Sequence, residues 1–455
     1  MASALIAAPA AAHGFGQRFD LPLPLWLWLA GAGAPLVVSF ALVAYFLRAS
    51  PPEPRSIRIA VPGSKILATT AKLVAVGLFV LTVAAGFFGV QDPYRNLAVV
   101  MVWVVWWVGF AFVCALVGDL WAVLNPLRTL YRLPSVAMPY PRALGAWPAV
   151  LVFLGFAWAE LVWREKDVPA YLATVVLAYS AITWGGMFLF GREAWLARGD
   201  AFALAFGVLG RFAPLDLQRA QLRWPGAALA SSEKVRFPFL VFVVLILGTV
   251  TFDGFMETPL AERLGTAVQS SPGLVRSLFA LSELGLDESQ LVATATLIAF
   301  PLAFLGVFLL AAAAMVRLTR AWRPGLGIVE AACAFVLTLV PIAVAYHLSH
   351  YFSLLLTAGQ FVIPLLSDPF GIGWNLFGTA AYKVDLGVAS PYVFWYAAVI
   401  LIVVGHVMAV YLAHVVALRE FGERRAAVVS QVPLLALMIA YTMLSLWILA
   451  QPIVG

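Results

Sequence analysis

An all-α integral membrane bundle of about ten transmembrane helices is the fold class that this sequence predicts. Hydrophobic residues make up 63% of the 455-residue chain and charged residues 11%, whereas a water-soluble domain carries about 25% charged residues. The apolar residues are gathered in runs of about 20, the length that a helix needs to cross the hydrocarbon layer. Each run is predicted to be helical because an open strand would leave backbone groups unpaired in lipid. Residues 1–455 are therefore expected to form a single transmembrane domain.

The loops between these runs carry a charge pattern that predicts the topology. Twenty of the 28 Lys and Arg fall in alternate loops, which the positive-inside rule assigns to the cytoplasm, so both termini are expected on the outer side. Residues 199–212 or so are expected to form a cytoplasmic interfacial helix, and 253–290 and 358–390 are expected to be outer loops. The predicted spans are 23–47, 66–90, 97–118, 144–163, 168–190, 237–252, 291–315, 325–357, 391–417 and 432–450.

The N-terminal segment 1–12 weakly resembles a secretory signal. It is rich in small residues and ends in an A-x-A-like pattern at Ala12, but it lacks a basic region at its start. Cleavage there would make His13 the N-terminal residue, whose amine and imidazole could chelate a metal ion together. An uncleaved outer tail is the preferred interpretation, and in both cases His13 is expected on the outer side.

Histidines inside the apolar runs are the strongest functional signal. The chain has five histidines, and "AYHLSHYFSLLL" places His347 and His350 at i, i+3, on one face of a helix. His406 and His414 are eight residues apart, or about 12 Å along a helix, which is too far for both to bind one ion. Ionisable groups within spans are costly and are functional candidates by default. If the helix kinked near Pro341 is tilted, His406 can approach the first pair, whereas His414 lies near the cytoplasmic end.

These residues suggest a metal or cofactor site near the outer face. Imidazoles suit zinc, copper or iron, and also haem. Asp253, in "TFDGFMETP", is expected where the sixth span emerges, as a ligand, a general base or an orienting group. The predicted metal ligands are His347, His350, His406 and His13, with Asp253 as the catalytic carboxylate. Zinc or manganese is expected, with copper or haem b as alternatives. The simpler interpretation is that the histidines only join helices by hydrogen bonds.

Several strings resemble bacterial polytopic membrane proteins of the fenitrothion hydrolase group. They include "GDLWAVLNPLRTLY", "TFDGFMETP", "AYHLSHYFSLLL" and "GHVMAVYLAH", and the resemblance extends from about residue 12 to 450. It implies a bacterial inner-membrane location and hydrolysis of the P–O–aryl bond of a lipophilic organophosphorus triester. Such chemistry needs an activated water and a polarised phosphoryl oxygen, which a metal bound by His and carboxylate can supply.

Two other function classes remain open on the sequence alone. A redox or metal-handling protein would use the same histidines to hold haem b or copper. A transporter or accessory subunit would use broken helices, for which Pro341, Pro364 and the Gly-rich stretch 371–378 are candidates. The expected partners are the lipid bilayer, a small lipophilic substrate and a membrane partner subunit, without nucleic acid.

Overall fold

Helices dominate the computed structural model, and the predicted all-α fold class is confirmed. Within the described residues the strands are three antiparallel two-residue segments in the order β1-β3-β2: β1 (Ile57–Arg58), β2 (Leu215–Asp216) and β3 (Gln221–Leu222). The structure describes residues 24–51, 56–59, 64–136, 138–231, 233, 235–270 and 287–451.

Nine helices in these ranges are long and apolar enough to cross a membrane, and three further helices of at least ten residues lie between them. The long ones are α1 (Leu25–Phe46), α2 (Ser64–Phe88), α3 (Leu97–Leu116), α5 (Pro169–Phe190), α7 (Phe237–Met256), α9 (Glu288–Thr319), α10 (Ile328–Ser367), α11 (Pro391–Phe421) and α12 (Arg424–Leu449). The shorter ones are α4 (Trp147–Leu161), α6 (Ala201–Gly210) and α8 (Pro259–Gln269). Helical segments of one or two turns occupy Trp121–Leu124, Pro126–Leu130, Arg164–Asp167, Arg192–Arg198 and Ala227–Ala230.

Helix α4 is shorter than the span predicted for it. Its 15 residues extend about 22 Å, less than the roughly 30 Å of the hydrocarbon core. The predicted span 144–163 loses residues at both ends, because the helix starts beside Pro148 and the backbone is already extended at Trp163. The ten predicted spans are therefore nine long helices plus α4. Both termini can lie on the outer side only if α4 also crosses the membrane. The orientation of the termini stays a prediction.

Two helices extend into the predicted outer loops, and the predicted interfacial helix is buried. Helix α7 continues to Met256, so Asp253 lies inside a helix and not in an outer loop. Helix α10 continues to Ser367 through a 3-10 turn at Ala358–Phe361, into the second predicted loop. Helix α6 is confirmed as a helix, but it is mostly buried within the protein. Its sequence is apolar on nearly every side, which is typical of a buried helix and not of a surface one.

The centre of the bundle is formed by α7 and α10, the most buried of the nine long helices. Helix α10 narrows to a 3-10 turn at Val336–Leu339, just before Pro341, whose ring cannot donate the usual backbone hydrogen bond. Helix α11 packs directly on α10, because Gly405 has no side chain to separate it from Ala345. This packing brings residues 60 positions apart in the chain, Ala345 and Gly405, into contact.

Helix α1 is held against the last two helices, α11 and α12. At its end, His414 Nε2 lies 3.0 Å from the carbonyl oxygen of Leu47, and Gln431 Nε2 lies 2.8 Å from His414 Nδ1. Arg424 donates to the carbonyl of Ala44 at 2.9 Å. Unpaired carbonyls at a helix end need such partners. His414 therefore has a structural role at the end of α1.

The turn after α3 contains Asp119, a carboxylate whose charge is unfavourable in the folded protein. Burial raises its pKa to about 6, and its Oδ1 accepts a hydrogen bond from the backbone of Ala122 at 3.1 Å. A raised pKa means that the folded state binds the proton more tightly, so stability is lost as the pH rises from about 4 through about 6. We expect Asp119→Asn, which keeps the acceptor, to raise stability at pH 7.5 by about 1–3 kcal/mol. The gain should vanish near pH 4.

Thermal unfolding of the detergent-solubilised protein at several pH values measures this difference. The matched control is Asp216→Asn, because the Asp216 carboxylate is paired with Arg219 and Arg223 at 3.0 and 3.2 Å. Burial alone would raise its pKa, but hydrogen bonds from Arg219 and the charge of Arg223 leave the pKa lowered. Asp216→Asn should therefore lose stability at pH 7.5. The two variants should change stability in opposite directions. If both are stabilised or both are destabilised at pH 7.5, the prediction is contradicted.

Candidate functional site

A buried carboxylate joins α7 to α10. The Oδ2 atom of Asp253 lies 2.9 Å from Nε2 of His350 and accepts a second hydrogen bond, also of 2.9 Å, from the hydroxyl of Tyr351. Asp253 and His350 are each 6% exposed, and Tyr351 is 1% exposed. Two neighbouring side chains of α10 therefore hold one carboxylate oxygen of α7.

This geometry decides which imidazole nitrogen carries the proton. A carboxylate oxygen only accepts, so a neutral His350 donates from Nε2 and carries its basic lone pair on Nδ1. A histidine oriented by a carboxylate is a general acid–base arrangement, in which the carboxylate stabilises the imidazolium that forms. The two residues singled out separately in the sequence, Asp253 and His350, are thus brought together.

His347 lies one turn earlier on α10, in an aromatic environment. Its ring centroid is 5.7 Å from Trp107, 5.8 Å from Phe112 and 4.8 Å from Tyr351. Its Nε2 has no hydrogen-bond partner among the described residues. The i, i+3 spacing correctly places both imidazoles on the inner side of α10, but only His350 bonds to Asp253.

His406 is separated from His350 by two tyrosines. Its Nδ1 lies 2.8 Å from the carbonyl oxygen of Ile402, and its ring centroid is 6.1 Å from that of Tyr441. Tyr441 is 6.2 Å from Tyr346, whose ring stacks on His350 at 5.9 Å with an interplanar angle of 8°. The histidine predicted to complete the site is therefore connected to His350 through the ring contacts of Tyr441 and Tyr346.

A metal or cofactor site needs several donors that converge on one point. No group of three or more His, Cys, Asp or Glu that could hold a metal ion occurs among the described residues, and His13 lies outside them. A haem does not fit between α10 and α11 beside His406, since a Cβ on Gly405 would lie 2.3 Å from the Cβ of Ala345. The residues described do not form a complete centre for zinc, manganese, copper or haem b, and these groups stay predictions.

Glu160 is a functional candidate that sequence reasoning did not select. It is 6% exposed at the end of α4, close to the indole of Trp107 and within electrostatic range of Asp253. Lys166 donates to the backbone carbonyl of Glu160 at 2.8 Å. The available signal was a carboxylate inside an apolar run, which is costly unless it is used or paired. Carboxylates at helix ends are usually solvated, but burial removes Glu160 from solvent.

Comparisons of this chain with models of protein families, with characterised proteins and with solved structures find no match. The chemistry of the site is therefore inferred from its own residues. Within the part of the chain that the structure describes, these residues form a buried acid–base pair inside a helical bundle of membrane-spanning character.

Proposed function

We propose that this protein is a membrane hydrolase in which His350, oriented by Asp253, activates a water molecule. The proposed substrate is a small lipophilic organophosphorus triester that enters from the bilayer. The observation that carries the proposal is the buried 2.9 Å contact between His350 Nε2 and Asp253 Oδ2, fixed by Tyr351.

The surroundings of the pair favour this chemistry in two ways. Low-dielectric surroundings strengthen the attraction between the Asp253 carboxylate and the imidazolium that forms during proton transfer. The hydroxyl of Tyr351 holds the carboxylate in place, so little reorganisation accompanies the proton transfer. A nonpolar triester dissolves in the bilayer and reaches the bundle laterally.

The step is balanced in atoms and charge. The water oxygen forms a bond to phosphorus while its proton moves to Nδ1 of His350. The P–O–aryl bond breaks, and the aryloxide leaves with the bonding electron pair. The phosphodiester product loses its remaining proton to water, and the imidazolium of His350 releases its proton to solvent before the next cycle. None of these events passes through a metal ion.

Hydrolysis of a dialkyl nitroaryl phosphotriester by the purified protein in proteoliposomes tests the proposal. Absorbance reports the aryloxide, and phosphorus NMR identifies the phosphodiester. We expect turnover by the wild type and a loss of at least about 100-fold in His350→Gln, the contribution of a general base. A folded wild type without turnover would exclude the proposal.

Elemental analysis of the same sample distinguishes the acid–base pair from a metal centre. The proposal expects turnover that persists after metal chelation. Stoichiometric zinc or manganese, with turnover lost on its removal, would instead make His350 a ligand. Iron or copper with a visible absorption band would favour the redox alternative.

A further inference from the structure

A second carboxylate, Glu257, lies at the end of α7, close in sequence to Asp253 of the buried pair. Glu257 follows Asp253 by four residues, so both side chains lie on one helical face about 6 Å apart along the axis. Asp253 is buried, whereas Glu257 is the half-buried residue that caps the C-terminus of the helix. The order along the helix is thus a buried carboxylate followed by one that reaches the protein surface.

Charged groups around Glu257 couple it to the pair. Burial, followed by the charge of Asp253, raises its pKa, while His350 and Lys166 act in the opposite direction. A carboxyl with a raised pKa exchanges protons at a pH closer to neutral. The charges of Asp253 and His350 thus both act on the Glu257 carboxyl.

We propose that Glu257 is the proton-shuttle residue of this site, which carries the proton of His350 to bulk water after each turnover. The inference rests on the proposed hydrolytic function. The proton moves from the imidazolium to the Glu257 carboxylate through intervening water and then to solvent. No other bond forms or breaks, and both groups return to their starting charge.

The need for a shuttle follows from burial. His350 is only 6% exposed, so its imidazolium exchanges slowly with bulk water. Lys166 is a cation whose amine donates to a backbone carbonyl, and Glu160 is itself buried. On α8, Glu262 and Arg263 are exposed to solvent. Among the described carboxylates near the pair, Glu257 spans the boundary between the buried pair and solvent.

Chemical rescue tests this role. In weakly buffered solution Glu257→Gln should lower kcat by about 10-fold or more with KM unchanged, within the range of a lost proton-transfer group. Millimolar imidazole, a small diffusible proton carrier, should restore kcat. Glu262→Gln is the matched control, because Glu262 is an exposed carboxylate five residues on, and it should behave as the wild type. If kcat of Glu257→Gln is low and does not change with the imidazole concentration, the proposed shuttle is overturned.

A second measurement does not depend on hydrolysis. Flash release of caged protons, followed by time-resolved infrared spectroscopy, reports protonation of His350 through the shift of the Asp253 carboxylate band, which is absent in Asp253→Asn. Protonation should be slower in Glu257→Gln than in the wild type. Unchanged rates would overturn the shuttle even if hydrolysis occurs. A slowed rate in a protein without hydrolytic activity would retain the shuttle and reject the hydrolase.

Discussion

Replacing Asp253 by asparagine is expected to lower kcat for triester hydrolysis by about 10⁴-fold, the cost of an inverted tautomer in a histidine–carboxylate pair. The carboxylate oxygen that now accepts from Nε2 of His350 would be replaced by an amide whose NH₂ group can donate to that nitrogen. The imidazole proton would then move to Nδ1, and the nitrogen that should accept the proton of water would no longer be basic.

The measurement is kcat in proteoliposomes, with Asp200→Asn as the matched control. Asp200 is also a buried carboxylate held by a tyrosine hydroxyl, at 2.8 Å from Tyr179, and it also accepts from Thr183 at 2.8 Å. It caps α6, a role that asparagine fills well. We expect near wild-type turnover in the control. Equal losses in the two variants would indicate general damage to the fold, and full activity in Asp253→Asn would refute the role of the pair.

Replacing Gly405 by alanine is expected to give the largest loss of stability. The added Cβ would lie 2.3 Å from the Cβ of Ala345 and 2.7 Å from the carbonyl oxygen of Pro341. Both neighbours are fixed by the backbone of α10, so the two helices would have to separate. Overpacking of this kind costs about 1–3 kcal/mol, and more when backbone must move.

Reversible unfolding in detergent measures the loss, and Gly77→Ala is the matched control. Gly77 lies in the middle of α2, where an added Cβ would meet nothing within 4 Å. Alanine favours a helix over glycine by roughly 1 kcal/mol, so the control should be neutral or slightly stabilised. An equal unfolding midpoint for Gly405→Ala and the wild type would show that α10 and α11 can separate without cost. Since α10 carries His347 and His350, the separation is also expected to reduce turnover.

The fold was largely predictable because long apolar runs leave few alternatives in a membrane. The errors have identifiable causes. Asp253 was placed at the surface because an ionised residue in an apolar run usually marks its end, whereas its hydrogen bonds to His350 and Tyr351 stabilise it inside α7. Those partners lie nearly 100 positions away, and periodicity contains no information about such contacts.

Asp253 and His350 could be singled out from the sequence, but their contact could not. Helical spacing places His347 and His350 on one face, but it does not show which of them meets Asp253. The distance from His406 to the pair is set by Tyr346 and Tyr441, which fill the space between the helices. Side-chain packing of this kind depends on helix tilt and depth, which composition does not specify.

The docking of α1 against α11 and α12 has a consequence for biogenesis. Its partners leave the ribosome about 400 residues after α1 itself, which takes roughly 20 to 80 s at ordinary rates of synthesis. During that interval α1 is inserted but lacks the groups that bind its C-terminal end, the imidazole of His414 and the guanidinium of Arg424. The bundle closes around α1 only after α11 and α12 have been synthesised, so a chain that terminates before them leaves α1 unassembled and exposed to membrane quality control.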